Sequence, residues 1–137
     1  MNELYNKIKT SFDKQGLMKT LNATLDKVES GSVQISCLYN EGLSQQHHFF
    51  HAGVMTSIVD SACGYAAATL VQPDKDVLTV EFKVNFLKPA KTTKIIAIGK
   101  VIQSGRTLTV CEGSVYNESE TALIAKMTAT IISIDIA

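Results

Sequence analysis

This sequence of 137 residues has no excess of either charge and no apolar run at its N-terminus. Its cysteines are odd in number, so they cannot all pair with one another. Thirteen acidic residues balance thirteen basic ones, so no electrostatic surface for nucleic acid or an anionic membrane is expected. Cys37, Cys63 and Cys111 lie far apart in no metal-ligand spacing, which favours free thiols in a reducing compartment. The start lacks the apolar core of a signal peptide. We therefore expect a cytoplasmic protein with a small, non-polymeric partner.

The length suits one domain spanning 1–137, with a helical segment at about 2–21. Apolar residues recur in this segment at roughly helical spacing, and Gly16 interrupts them. The pattern predicts a helix of about three turns followed by a shorter one.

The longest apolar run begins at Gly53, continues to Val71 and predicts a central helix. Gln72-Pro73 ends it, because the residue before a proline is pushed out of the helical region. A helix that is apolar on all sides is normally buried. Its length alone allows a membrane span, but Asp60, two glycines and many small polar residues favour burial inside a protein.

Asp60 is the only carboxylate between Glu41 and Asp74. A buried carboxylate must be paired, protonated or used in chemistry. The structural alternative is a hydrogen bond to a neighbouring hydroxyl such as Thr56 or Ser57. Asp60 is therefore the first candidate for a functional residue.

After the central helix the apolar period changes to two, which predicts a strand from Leu78 to Phe86. Other β-rich runs lie before and after it, separated by turn-like segments. They are 24–29, 32–39, 94–102, 107–116 and 123–134. Because no strand–helix–strand alternation is present, the order predicts an α+β architecture, an antiparallel sheet wrapped around one long central helix.

Three segments together carry a resemblance to a known family: QQHHFFHAGVMTSIVDSACGYAA, VLTVEFKVNFLKPA and GRTLTVCEGSVYNE. Over roughly residues 30–134 the chain resembles the PaaI-like branch of the hotdog-fold thioesterases, relatives of 4-hydroxybenzoyl-CoA thioesterase. The resemblance implies a hotdog fold and a homodimer, commonly paired into a homotetramer. It also implies hydrolysis of acyl-CoA thioesters without a metal or other cofactor.

The resemblance places the family's H-G-G segment on His51, Ala52 and Gly53, and its helix carboxylate on Asp60. The family uses the backbone N–H of the middle residue as an oxyanion donor. Ala52 stands where glycine is usual, and it can serve if its φ is negative. Asp60 is expected to act as nucleophile or as base for water.

The resemblance adds an amide and a hydroxyl to the candidate catalytic set. The family's amide side chain falls on Gln45, with Gln46 as a neighbour that can replace it, and a water-holding hydroxyl falls on Thr79. Without the family, Gln45 would be a solvent-facing loop amide, and Thr79 a residue chosen for strand propensity.

Candidate substrate-binding residues besides His51 and Gly53 are Phe50, Lys83 and Arg106. Phe50 is expected either to line an acyl or aryl pocket or to belong to the core. Lys83, Arg106, Lys88 and Lys91 are expected near the helix entrance, where they can meet the phosphates of coenzyme A. Solvated surface charge is the simpler account of each cation taken singly.

Helix geometry separates the two halves of this expected site. Eight residues lie between Ala52 and Asp60, which gives about 12 Å along one helix. Reacting atoms must approach to about 3–3.5 Å. Asp60 should therefore act with the helix start of a second chain, and activity should require a dimer.

Other functions are compatible with the same residues. A hotdog enoyl-CoA hydratase or dehydratase would pair Asp60 with His51, and a non-catalytic acyl-CoA binding domain would keep the pocket alone. His47 and His51 are four residues apart, but no HExxH glutamate accompanies them, so a metal site is not expected.

Overall fold

The computed structural model describes residues 2–136, which form three α-helices, a short 3-10 helix and six strands. The helices are α1 Glu3–Phe12, α2 Gly16–Thr20 and α3 Ala52–Ala68, with the 3-10 turn at Glu41–Leu43. The strands are β1 Ala23–Glu29, β2 Ser32–Leu38, β3 Lys75–Phe86, β4 Lys94–Ser104, β5 Leu108–Tyr116 and β6 Leu123–Asp135.

The six strands form one antiparallel sheet in the order β1-β2-β4-β5-β6-β3. Helix α3 packs across it and contacts β2, β3, β4, β5 and β6. Most apolar side chains of α3 are buried, including Ile58 and Val59 at 0% exposure. The α+β architecture predicted from the sequence is confirmed.

Two glycines in the sheet allow α3 to lie close to it. A Cβ at Gly99 would stand 2.4 Å from the backbone carbon of Ala62, and one at Gly113 would stand 2.4 Å from Cγ2 of Val59. Any side chain at either position would therefore push the helix away from the strands. These contacts fix the height of α3, and with it the position of Asp60, above the sheet.

Helix α3 ends three residues earlier than the predicted boundary at Val71. Thr69 caps it, since its Oγ1 donates to the Ala66 carbonyl and accepts the Gly31 N–H. Leu70 lies beyond the helix and is 40% exposed. The apolar residues of the sequence continue to Val71, past the observed end of the helix. The contact between Thr69 and Gly31 that ends the helix joins distant residues, so it leaves no local sequence pattern. None of the helices within residues 2–136 is long and apolar enough to cross a membrane.

The two edge strands of the sheet differ in cover. Helices α1 and α2 contact β1. Strand β3 pairs only with β6 among the strands of residues 2–136, so its outer edge is open. It begins at Lys75, earlier than predicted, and its register shifts at a bulge between Thr79 and Glu81. Large apolar side chains on and just after β3 are exposed: Leu78, Val80, Phe82, Phe86 and Leu87.

Candidate active site

Asp60 lies on the part of α3 that faces β3 and is only partly exposed. Its Oδ1 accepts a hydrogen bond of 2.8 Å from Oγ1 of Thr79. Burial raises the pKa of this carboxyl, and the Thr79 hydrogen bond opposes the shift because it stabilises the charged form. The carboxylate is therefore held in place by one strand hydroxyl and is more basic than an exposed aspartate.

The two hydroxyls that precede Asp60 on the helix do not bind it. Thr56 Oγ1 donates to the Ala52 carbonyl and Ser57 Oγ donates to the Gly53 carbonyl, each one helical turn back. The structural alternative from the sequence, a hydroxyl partner on the same helix, is therefore not observed. The remaining oxygen of Asp60 is left facing a cavity.

The start of α3 presents one unpaired donor. His51 is the N-cap, and its Nδ1 accepts the Gly53 N–H at 2.8 Å. Within residues 2–136 no hydrogen bond engages the Ala52 N–H. Ala52 is not among the residues with positive φ, so alanine is accommodated there without strain. The free N–H at the positive end of the helix dipole is suited to a developing oxyanion.

Gln45 lies in the loop that leads to this helix start. Its side-chain oxygen accepts the backbone N–H groups of His47 and Phe49, which fixes the amide in the loop. Gln45 lines the same cavity as Ala52, whereas Gln46 is exposed. The geometry therefore favours Gln45 over Gln46 as the amide beside the oxyanion donor.

The helix-start cavity has a volume of about 590 Å³ and is mostly apolar. Lys88 is the only lysine or arginine among its described lining residues. Phe50 is 2% exposed and its ring meets that of Tyr39 edge-on at 5.4 Å, so it serves the core as well as the cavity wall. The other residues that line this cavity are Gln45, His47, Phe49, His51, Ala52, Met55, Phe86, Leu87, Pro89 and Ala90.

A second cavity, the Asp60 cavity, has a volume of about 430 Å³ and lies between α3, β3 and the N-terminal helices. It is lined by Ser11, Gln15, Asp60, Ser61, Gly64, Tyr65, Asp76, Val77, Leu78 and Thr79. The helix-start cavity shares none of these residues. Asp60 and the Ala52 N–H therefore open into separate spaces of one chain, about 12 Å apart along α3.

The two cations of the candidate set lie away from the helix-start cavity of their own chain. Lys83 is exposed on β3 opposite Thr128. Arg106 lines a third cavity with Leu70 and Val71, beyond the opposite end of α3. The expected location near the helix entrance is therefore not observed for these two residues within a single chain, whereas Lys88, which was also expected there, lines the helix-start cavity.

Comparison with known proteins gives the family of this chain. The sequence profile described as the thioesterase superfamily matches residues 47–124, which include Ala52, Asp60 and Thr79 but not Gln45. A candidate esterase of Saccharolobus solfataricus is 37% identical over 105 residues, covering 77% of this chain and 69% of that protein. The chain belongs to the thioesterase superfamily. Its membership supports hydrolysis of thioesters in general.

Solved structures of thioesterases share the fold. A thioesterase family protein from Silicibacter pomeroyi superimposes with a TM-score of 0.93 at 41% identity, covering 97% of this chain and 99% of the other. The E. coli PaaI protein from the phenylacetic acid degradation operon gives a TM-score of 0.87 at 16% identity, with 96% and 93% covered. The hotdog fold and the resemblance predicted from the sequence are confirmed.

Sequence reasoning missed two residues of the Asp60 cavity. Gly64 is not one of them, because its i, i+4 spacing from Asp60 already makes it a neighbour on the same helix face, and both residues line the cavity. Ser11 and Gln15 gave no signal, because only the packing of the N-terminal helices on α3 brings them to the cavity.

Proposed function

We propose that this member of the thioesterase superfamily hydrolyses acyl- or aryl-CoA thioesters to the free acid and CoA. The active site combines Asp60 and Thr79 of one copy with Ala52 and Gln45 of a second copy. One observation carries the proposal. Each chain holds a basic carboxylate without an oxyanion donor beside it, and a free oxyanion donor without a carboxylate beside it.

The open edge of β3 supports assembly with a second copy. Exposed apolar side chains lie on this edge, and Thr79 is on the same strand. In a twofold pair the same edge contacts itself, so both composite sites form together. Antiparallel pairing of two β3 strands would continue the sheet and cover the apolar residues. The homodimer is therefore part of the proposed function, and a homotetramer formed from two such dimers extends it.

Two chemical routes use the same residues. In one, the Asp60 carboxylate attacks the thioester carbonyl carbon, the CoA thiolate leaves, and water hydrolyses the resulting anhydride. In the other, Asp60 accepts a proton from water while the water oxygen attacks the carbonyl, and the proton then passes to the leaving thiolate. In both, the Ala52 N–H donates to the oxyanion. The proposed reaction uses no metal or cofactor.

The surroundings of the reacting groups fit coenzyme A as the leaving group. Lys88 lines the helix-start cavity. Lys83 on β3 and Arg106 on the β4–β5 turn lie outside that cavity of their own chain and would reach CoA only from a second copy. We assign the phosphates of CoA to these cations. We also place the protein in the cytoplasm, the compartment suited to three cysteines that are all free and buried.

The direct test is release of free thiol from a panel of short, medium, long and aromatic acyl-CoA thioesters, combined with sedimentation of the same sample. We expect thiol release from at least one class and a sedimenting species no smaller than a dimer. A stable, active monomer would contradict the composite site.

The same panel separates the competing functions. Hydration of an enoyl-CoA with no thiol released would indicate a hydratase. In that case His51 would have to act through Nε2, since Nδ1 accepts the Gly53 N–H as the helix cap. Binding of acyl-CoA without turnover across the panel would indicate a binding domain.

A further inference from the structure

Among the described residues that line the Asp60 cavity, Gly64 is the only one without a side chain. It lies one turn after Asp60 on α3, a rise of about 6 Å, and is half-buried. Glycine inside a helix costs about 1 kcal/mol relative to alanine. A reason for glycine at this position is therefore needed.

Packing within the chain does not supply that reason. A Cβ built at Gly64 would meet no heavy atom within 4 Å among the described residues. Gly99 and Gly113 differ, because a Cβ there would collide with α3 at 2.4 Å. The space beside Gly64 is thus open cavity, continuous with the space that the Asp60 carboxylate faces.

The far wall of this cavity is built by an ordered cluster. The Tyr65 hydroxyl accepts a hydrogen bond of 2.7 Å from Nε2 of Gln15 and lies 3.2 Å from Oγ of Ser11. Tyr65 is 7% exposed, and its ring also packs near that of Phe12. These hydrogen-bonded side chains therefore line the side of the cavity that faces the N-terminal helices.

Charge decides which part of a thioester enters this cavity. Its described lining includes two carboxylates, Asp60 and Asp76, and no lysine, arginine or histidine. The phosphates of CoA would be repelled there, whereas the helix-start cavity offers Lys88. With the carbonyl held between Asp60 and the Ala52 N–H of a second copy, the acyl group is the part that extends over Gly64.

We propose that Gly64 determines specificity: its missing side chain admits the body of a bulky, neutral acyl group, and the Ser11–Gln15–Tyr65 cluster limits its length. This inference rests on the proposed thioesterase function and names its substrate class. Small acyl groups need no such space. Acyl groups that end in a carboxylate are disfavoured by Asp60 and Asp76.

The test compares wild type with Gly64→Leu on acetyl-CoA, butyryl-CoA, succinyl-CoA and benzoyl-CoA. We expect Gly64→Leu to lower kcat/KM for benzoyl-CoA at least about tenfold relative to acetyl-CoA, because the leucine occupies the space of the acyl group. Wild type should prefer butyryl-CoA over succinyl-CoA by at least about tenfold, since the two differ in a terminal carboxylate.

Gly16→Leu is the matched control. A Cβ at Gly16 also meets no atom within 4 Å among the described residues, but Gly16 does not line the Asp60 cavity. It should leave the benzoyl-to-acetyl ratio unchanged. Sedimentation and thermal unfolding of both variants check that assembly and fold are kept.

The outcomes are distinguishable. If Gly64→Leu and wild type have the same ratio of kcat/KM for benzoyl-CoA to kcat/KM for acetyl-CoA, the inference is overturned. The proposed function still stands in that case, because wild type hydrolyses the thioesters. Dissociation of Gly64→Leu into monomers also overturns it, because Gly64 would then serve the contact between copies. Equal turnover of succinyl-CoA and butyryl-CoA by wild type would contradict the proposed preference for neutral acyl groups. Absence of thiol release from every thioester by wild type rejects the proposed function itself.

A binding measurement keeps the inference testable without turnover. A thioether analogue of benzoyl-CoA cannot be hydrolysed, so its affinity reports the acyl space alone. We expect Gly64→Leu to weaken this analogue at least about tenfold and to leave the acetyl analogue within about threefold. Equal effects on both analogues would contradict the role of Gly64.

Discussion

The two cavities along α3 hold different chemical groups. The helix-start cavity is apolar and holds an unpaired N–H, a fixed glutamine and a lysine. The Asp60 cavity is more polar and holds a carboxylate of raised pKa with its hydroxyl partner. One can stabilise negative charge and the other can supply a nucleophile or base. The comparison teaches that a single chain contains every group of the proposed site but no complete site.

The largest loss of activity is expected when the Asp60 carboxylate is replaced. Asp60→Asn keeps the shape and the position next to Thr79 but cannot act as nucleophile or base. We expect kcat to fall by about 10²–10⁴-fold in the thiol-release assay. Unchanged sedimentation and circular dichroism serve as controls. A loss of only a few-fold would show that the carboxylate is not the reacting group.

The next largest loss of activity is expected when the Ala52 N–H of the helix-start cavity is deleted. Ala52 is the first residue of α3, where proline is accepted, and His51 already has the extended ψ of 141° that proline requires before it. Ala52→Pro therefore deletes the N–H with little cost to the helix. We expect about 10²–10³-fold lower kcat.

Ala52→Gly is the matched control, because it retains the N–H and has no side chain to disturb the cavity. It should remain within a few-fold of wild type. Equal rates for the proline and glycine variants would show that this N–H plays no part in catalysis.

A smaller effect concerns the hydrogen bond that tunes Asp60. Thr79 lowers the pKa of Asp60 against the rise caused by burial. Thr79→Val should raise that pKa further, so the acidic limb of the kcat/KM profile moves to higher pH. Thr79→Ser keeps the donor and should follow wild type. Superimposable profiles for the valine and serine variants would contradict this role.

The smallest expected effect is on stability. The pKa of Asp60 is higher in the folded protein than in the unfolded chain, so its unfavourable contribution grows as pH rises through the folded pKa. Asp60→Asn should therefore raise Tm at pH 7.5, and by less at pH 4. Scanning calorimetry at both pH values measures this. A larger gain at pH 4 would contradict the sign.

The sequence predicted the elements well where a local period determines them. The two-residue period after the central helix indicated β3, and the lone carboxylate in an apolar helix indicated Asp60. The predicted end of α3 was wrong because the Thr69 side chain accepts a hydrogen bond from the distant Gly31 N–H. No local sequence pattern indicates this contact. The roles of the site residues remain predictions.

Features that depend on distant packing could not be predicted. The cluster of Ser11, Gln15 and Tyr65 joins residues fifty or more positions apart. The open space at Gly64 is likewise a property of the packed structure.

The most direct measurement of the central claim is the activity of a hybrid dimer made by co-expressing Asp60→Asn with Ala52→Pro. In a hybrid, the intact Asp60 of one copy meets the intact Ala52 N–H of the other. Equal mixing then restores about a quarter of wild-type sites, since half of the dimers are hybrids with one intact site each. Activity near this level from two nearly inactive parents is the predicted result. Failure of a purified hybrid to exceed its parents would contradict a site shared between two copies.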